Sequence, residues 1–454
     1  MPQRQITKAP HGHMLTNAGV WSADSQWIVY DVRSTADGGR FDGTAIERVH
    51  ADSGRVERLY TAQHGACCGV VTASPVDDAV VFILGPEHPN QQWQYGPAHR
   101  QGMVVHTSRP EEALPLDARD LVPPFTAGAL RGGTHVHVHS PDGRLVSSTY
   151  EDALLPDEPA DELLRLYASG SDPADTPAPQ HNRRCVAVSV CGAAVRVPKA
   201  HPRNHDGTAF SVVVTELHDR PRPGSDEIFR ACEEAWIGAK GYRRADGLWQ
   251  RFALAFQGEL LPALGSHPGP ISEVFVVDLP AEPDELFLPG ERPLEGTLRQ
   301  RPAPPRGVEQ RRITFTAERT YPGLAGPRHW LRSSPDGSRI GCLMRDEAGI
   351  VQLFSVSPAG GAIEQITRGG NSVSSAWTWS PDGSRIAYVA AGSVWVVEVA
   401  SGASVALTPP TARSAAPRPE ACVFSPDGRR IAFMRQQPTS AGLHNQIFCV
   451  DVEA

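Results

Sequence analysis

The sequence predicts an all-β ring: a seven-bladed β-propeller of four-stranded antiparallel blades, with eight blades as the alternative count. Three observations predict it. Ser334-Pro335-Asp336-Gly337, Ser380-Pro381-Asp382-Gly383 and Ser425-Pro426-Asp427-Gly428 recur every ~45 residues, the period of a propeller blade. Apolar, alternating runs rich in Val, Ile and Trp flank each copy. The 454 residues hold 42 glycines and 41 prolines, far too many helix breakers for a helical protein, yet 40% of residues are hydrophobic, so the chain is globular.

The repeat has a physical logic. A first strand ends at Trp377-Thr378-Trp379-Ser380. Pro-Asp-Gly then turns the chain, because Pro presets φ, Asp bonds its own backbone and Gly accepts positive φ. Arg385 to Val389 is a second strand, Val394 to Val399 a third, and Ala403 to Thr408 a fourth. Ser140-Pro141-Asp142-Gly143 is a fourth clear copy of the turn. Weaker copies lie at Asp24, Asp77, Asp206 and Asp246, of which the last two are close enough to share one elaborated blade.

The last repeat supplies only three strands and stops near Val452. Gln5-Ile6-Thr7-Lys8 matches the fourth-strand segment Gln365-Ile366-Thr367-Arg368, so the N-terminus is expected to complete that blade and remove its free edge. The whole chain, 1–454, then forms one domain. It carries loop insertions near 151–183, with a short helix from Asp161 to Ala168, and near 280–311, which is rich in proline.

The net charge of −8, with no basic run, excludes a general nucleic-acid binder. No stretch reaches the ~18 apolar residues of a membrane span, and no apolar leader follows Met1. The eight cysteines form no C-x-x-C pair, and buried free thiols in a reducing compartment are expected. These features place the protein in the cytoplasm.

His135, His137 and His139 alternate with valines. On a regular strand all three imidazoles would share one face, successive members roughly 7 Å apart. Imidazole suits Mn, Fe, Ni or Zn, which makes His135 and His137 candidate ligands of a divalent metal; the structural reading is a set of strand histidines bonded to neighbouring blades. His99 and Arg100 lie in one loop, and His201, Arg203 and His205 in another. His99 and His201 are candidate further ligands, His205 a candidate base or ligand, and Arg100 and Arg203 candidate carboxylate binders. His64 and His267 have less context. Glu151, Asp152, Asp226, Glu227, Glu233 and Glu234 are weighed as acids and as ordinary surface charge. Trp93, Tyr95 and Trp236 offer faces for stacking on sugars, against a default of packing. No G-x-S-x-G elbow, P-loop or H-E-x-x-H motif is present.

The Ser-Pro-Asp-Gly repeats resemble those of Tol-type propellers. Residues 132–143, Gln94 to Arg100 and Pro223 to Ile228 look like the YidR-like family of bacterial propellers, which implies the fold and no established activity. A more distant similarity is to oligogalacturonate lyases, where the lyase pattern has a Gln at the position of Gly132. That similarity implies a metal-binding, carbohydrate-active propeller that cleaves an acidic oligosaccharide by β-elimination. The alternative is a non-catalytic scaffold that binds a protein partner.

Overall fold

The computed structural model describes residues 3–157, 162–327 and 330–453. Seven four-stranded antiparallel sheets are arranged as blades. Blade 1 comprises Gly12–Met14, Trp27–Arg33, Ala45–His50 and Val56–Thr61, and blade 2 comprises Cys68–Ala73, Ala79–Leu84, Gln101–His106 and Arg109–Pro115. Blade 3 runs through Gly132–His139, Leu145–Asp152, Cys185–Val195 and Gly207–Val213. Blade 4 runs through Ile228–Trp236, Ala253–Leu260, Ile271–Asp278 and Glu309–Arg312. Blade 5 has Arg332–Ser333, Ile340–Arg345, Val351–Val356 and Glu364–Gln365; blade 6 has Thr378–Trp379, Arg385–Ala390, Ser393–Glu398 and Ser404–Ala406. Blade 7 takes Cys422–Phe424, Arg430–Thr439 and Gly442–Asp451 from the C-terminal end and Gln3–Gln5 from the other, with Gln3 opposite Val450 and Gln5 opposite Phe448. Closure by the N-terminal segment is as the sequence predicts.

The repeated turn does what its residue types dictate. In the four clear copies the Ser hydroxyl donates to the Asp carboxylate at 2.5–2.7 Å, and the Gly stands at φ between 72° and 74°. In blade 1 Ser25 fills the glycine position at φ 61°. Seven such aspartates, one per blade, join first and second strands. Asp246 does so inside a small ribbon, Tyr242–Arg243 with Trp249–Gln250. Asp206 does not: it precedes the outer strand of blade 3, accepts the Val197 N–H at 3.0 Å and pairs with Lys199. That removes the eighth count.

The core lies between blades. Indole N–H groups tie the innermost segments of neighbouring blades: Trp21 Nε1 donates to the Val423 carbonyl, Trp236 to Val138 and Trp379 to Arg332, each at 3.0–3.1 Å. The insertion after Asp152 carries the one α-helix among the described residues, Glu162–Ala168; Asp161 lies outside them. Tyr167 of that helix donates to the His267 carbonyl at 3.0 Å. The second insertion, before Glu309, is held by buried arginines: Arg131 bonds the Thr297 carbonyl and Asp152, and Arg301 bonds Asp219 at 2.7 Å. No helix among the described residues is long and apolar enough to cross a membrane.

Candidate functional site

The inner strand of blade 3 begins under a loop. A side chain at Gly133 would overlap the Pro97 carbonyl, and one at Gly132 would overlap the Glu151 carbonyl. Only glycine lets the 97–99 turn lie on this strand, and no glutamine has room at position 132.

The strand is not regular. Pairing runs from Gly132 opposite Asp152 to His135 opposite Thr149, then resumes at Val138 opposite Ser147, with Val136 at φ 56°. This β-bulge breaks the two-residue period that the histidine alternation assumes. His135 is half-buried and lines a cleft. His137 is fully buried against Gly102 and the Asp117 carboxylate, and neither ring nitrogen has a hydrogen-bond partner. His139 lines a different cavity. The expectation that the three imidazoles share one face therefore fails. Burial holds His137 down to about 3 and His139 to about 4, so both are neutral at pH 7.

Valine at positive φ is costly. The same bulge recurs at the matching positions of blades 2 and 4, at Val70 (56°) and Glu233 (60°). In blade 4 it drives Glu234 into the wall facing blade 3, where Thr149 Oγ1 donates to Oε2 at 3.1 Å and Oε1 has no partner. Burial raises Glu234 to about 7; nearby Arg332 is itself lowered by burial to about 10.

The cleft beside His135 has a volume of 380 Å³. Arg33 donates to Asp31 and lies 4.6 Å over the Phe41 ring, and Phe41 stacks on Tyr95 at 4.6 Å. Across it Arg418 donates to Glu420 at 3.3 Å, while Asn17 accepts from Arg332. Apart from Tyr95, sequence reasoning missed these residues, which sit in no motif and come from four blades.

A second cluster gathers five of the sequence-predicted residues around Trp93. The His99 ring stacks on Trp93 at 3.8 Å, and His201 stands at 6.2 Å. The guanidiniums of Arg119 and Arg203 lie 5.6 and 5.9 Å from the Trp93 ring. Arg203 also donates to the carbonyls of Glu87 and His88, at 2.6 and 2.9 Å. Arg119 bonds the carbonyls of Gly132 and Arg100, and Arg100 lies 5.4 Å over Tyr95. The Arg119 backbone N–H donates to the His205 carbonyl at 2.9 Å. Burial, then Arg119, lowers His205 to about 3. Burial also lowers His99, and Arg119 and Arg203 push the same way. Arg119 is the member the sequence did not single out.

The remaining candidates have structural partners. His64 stacks on His88 at 4.4 Å, and His267 Nδ1 lies 2.7 Å from the Gly269 carbonyl. Glu151 pairs with Arg184 at 2.7 Å, Asp226 with Arg312 at 3.4 Å, and Glu227 accepts the Arg222 N–H at 2.7 Å.

The surrounding relatives set the fold in context. A family model described as a protein of unknown function (DUF3748) matches residues 67–205, and one described as the dipeptidyl peptidase IV N-terminal region matches residues 345–451. The uncharacterised protein YidR of Escherichia coli (strain K12) is 42% identical over 433 residues, 95% of this chain and 94% of that protein. An oligogalacturonate lyase solved in complex with manganese has a TM-score of 0.52 at 12% identity, covering 99% of this chain and 92% of its own. An oligogalacturonate lyase from Vibrio parahaemolyticus scores 0.51 at 10% identity, covering 99% and 93%. At these identities the likeness is one of fold.

The donors here do not fit a divalent ion. His135 and His137 are separated by the bulge, position 132 admits no side chain, and no group of three His, Cys, Asp or Glu is placed to hold a metal among the described residues. At 42% identity over 95% of its length, the chain belongs to the YidR family.

Proposed function

We propose that this propeller binds an acidic oligosaccharide at the Trp93 cluster and cleaves it by β-elimination without a metal. The observation that carries this reading is the convergence of Arg119, Arg203 and His99 on one indole. Aromatic faces stack on sugar rings, and guanidinium groups bind carboxylates. His99 Nδ1 lies 2.7 Å from the Gln94 carbonyl, which can only accept, so Nδ1 carries the hydrogen and Nε2 keeps its lone pair. An arginine-paired uronate carboxylate acidifies the adjacent C–H. His99 Nε2 takes that proton, the electron pair forms the ring double bond, and the glycosidic oxygen leaves with a proton from water. The fold shared with oligogalacturonate lyases supports the reaction class.

The test is titration of oligogalacturonides against the protein by Trp fluorescence, with ultraviolet detection of unsaturated product. Trp93→Ala should weaken binding more than about tenfold, equivalent to ~1.4 kcal/mol. His99→Gln should keep binding and lose product. Absence of saturable binding overturns the reading, and binding with product formation unaffected in His99→Gln overturns the role of His99.

A further inference from the structure

We propose that the gap between blades 2 and 3 is a binding site for an uncharged, largely apolar small molecule carrying one hydroxyl, carbonyl or amide group. Flat blades that radiate from one axis diverge outward, so every gap needs large side chains to close it. Between blades 1 and 2 the filling is aromatic, with Tyr60 against Phe82 at 4.8 Å. Between blades 2 and 3 the buried apolar cluster is Val81, Leu116, Val146 and Ala209. Ala79, Thr208 and Gly192 stand where bulk would be needed, and a cavity of 560 Å³ remains. That volume is in the range of small-molecule sites, ~300–1,000 Å³.

The walls specify the chemistry. Val104 and Leu116 give an apolar slot, and Leu114, 58% exposed, stands at its edge as a surface for a ligand to cover. The polar wall is His139, whose Nδ1 has no hydrogen-bond partner. Burial keeps this imidazole neutral, and with Nδ1 sealed off it is Nε2 that meets the cavity, as one N–H or one lone pair rather than a charge. Asp77 and Glu112 also line the cavity and disfavour an anion there; Arg109 disfavours a cation. His106 at the rim is already bonded to Asp78 at 2.8 Å. An apolar body with a single neutral hydrogen-bonding group matches this lining. The site is separate from the Trp93 cluster and does not depend on the function proposed there.

The experiment uses 2-naphthol as probe and 2-naphthoate as its charged counterpart, with binding read by calorimetry. A second readout is alkylation of Cys191, a partly exposed thiol in the cavity wall, mapped by peptide mass spectrometry. We expect saturable naphthol binding at least tenfold tighter than naphthoate, and at least threefold slower Cys191 alkylation in its presence. Ala79→Trp and, independently, Thr208→Trp should abolish both effects while the unfolding midpoint shows an intact fold; Trp93→Ala should change neither. No saturable naphthol binding overturns the site. Equal binding of both probes overturns the uncharged class, and full binding in either folded tryptophan variant overturns the location.

Discussion

Thr7 and Thr367 hold the same station in different blades. Thr7 Oγ1 accepts the Ile447 N–H at 2.8 Å, and Thr367 Oγ1 accepts the Leu353 N–H at 2.9 Å. Each follows an isoleucine whose N–H donates at 2.8 Å to that same residue's carbonyl, and each is preceded by a glutamine whose Nε2 reaches the Thr carbonyl at 2.8 Å. The N-terminal segment is thus an outer blade strand displaced in sequence.

Replacing Thr7 by Val should therefore cost about 1–3 kcal/mol, because the buried Ile447 N–H loses its acceptor. Thr367→Val should cost a similar amount. Ile6→Ala empties a buried position between blades 7 and 1 and should cost about 2–5 kcal/mol. Urea unfolding midpoints measure all three; a neutral Ile6→Ala would contradict the closure.

Two turn positions should respond with opposite signs. Gly383 stands at φ 74° and Ala391, exposed, at φ 49°. Gly383→Ala should destabilise by about 1–2 kcal/mol, and Ala391→Gly should stabilise by a smaller amount, since the left-handed region penalises a Cβ. Thermal melts of the two variants check the pair.

Below pH 6.5 the buried histidines should weaken the fold. His137, His13 and His205 are each held by burial to about 3, below their unfolded value. Each contributes stability that is present above about 6.5 and lost as pH falls toward 3. His137→Asn should narrow the gap between urea midpoints at pH 7.5 and pH 5. An unchanged gap would show that His137 is not buried in neutral form.

Glu234 should act in the opposite direction. Burial holds it at about 7, above its unfolded value near ~4.3. The folded state binds this proton more tightly, so the contribution is full below about 4.3 and lost as pH rises through about 7. Glu234→Gln should flatten the stability profile between pH 5 and pH 8, by roughly 3 kcal/mol at most. Urea titrations at the two pH values measure it.

The thiols give a simple count. All eight cysteines are free; Cys67 and Cys191 are partly exposed and six are buried. Ellman's reagent should react quickly with two thiols in the folded protein and with eight in urea.

The ring was legible because its turns are local. Ser-Pro-Asp-Gly carries its own hydrogen bonds, so four copies could be read without any long-range information, and Ser25 betrays its place only by the Ser-x-Asp before it. Asp206-Gly207 misled for the same reason: Asp-Gly is turn chemistry wherever it stands, and here it leads into an outer strand. The Trp93 cluster was half legible, since the two loops announce themselves by histidine and arginine, while Arg119 lies in an unremarkable Ala-Arg-Asp. The bulge at Val136 was invisible. Alternating His and Val reads as an unbroken strand, and a β-branched residue is a poor signal for positive φ. The cleft beside His135 was unreadable because Asn17, Arg33, Trp330 and Glu420 meet only after the ring closes.

The pairing of Gln3 with Val450 also sets an order in time. Residues 3–5 are made well before residues 448–450 and must wait for them before they have a strand to join. Until then the nascent chain is an arc with two unsatisfied sheet edges. A short peptide joining residue 453 to residue 3, with the chain opened between Gly360 and the exposed Gly361, would leave every blade its four strands while letting blade 7 be made from one continuous stretch.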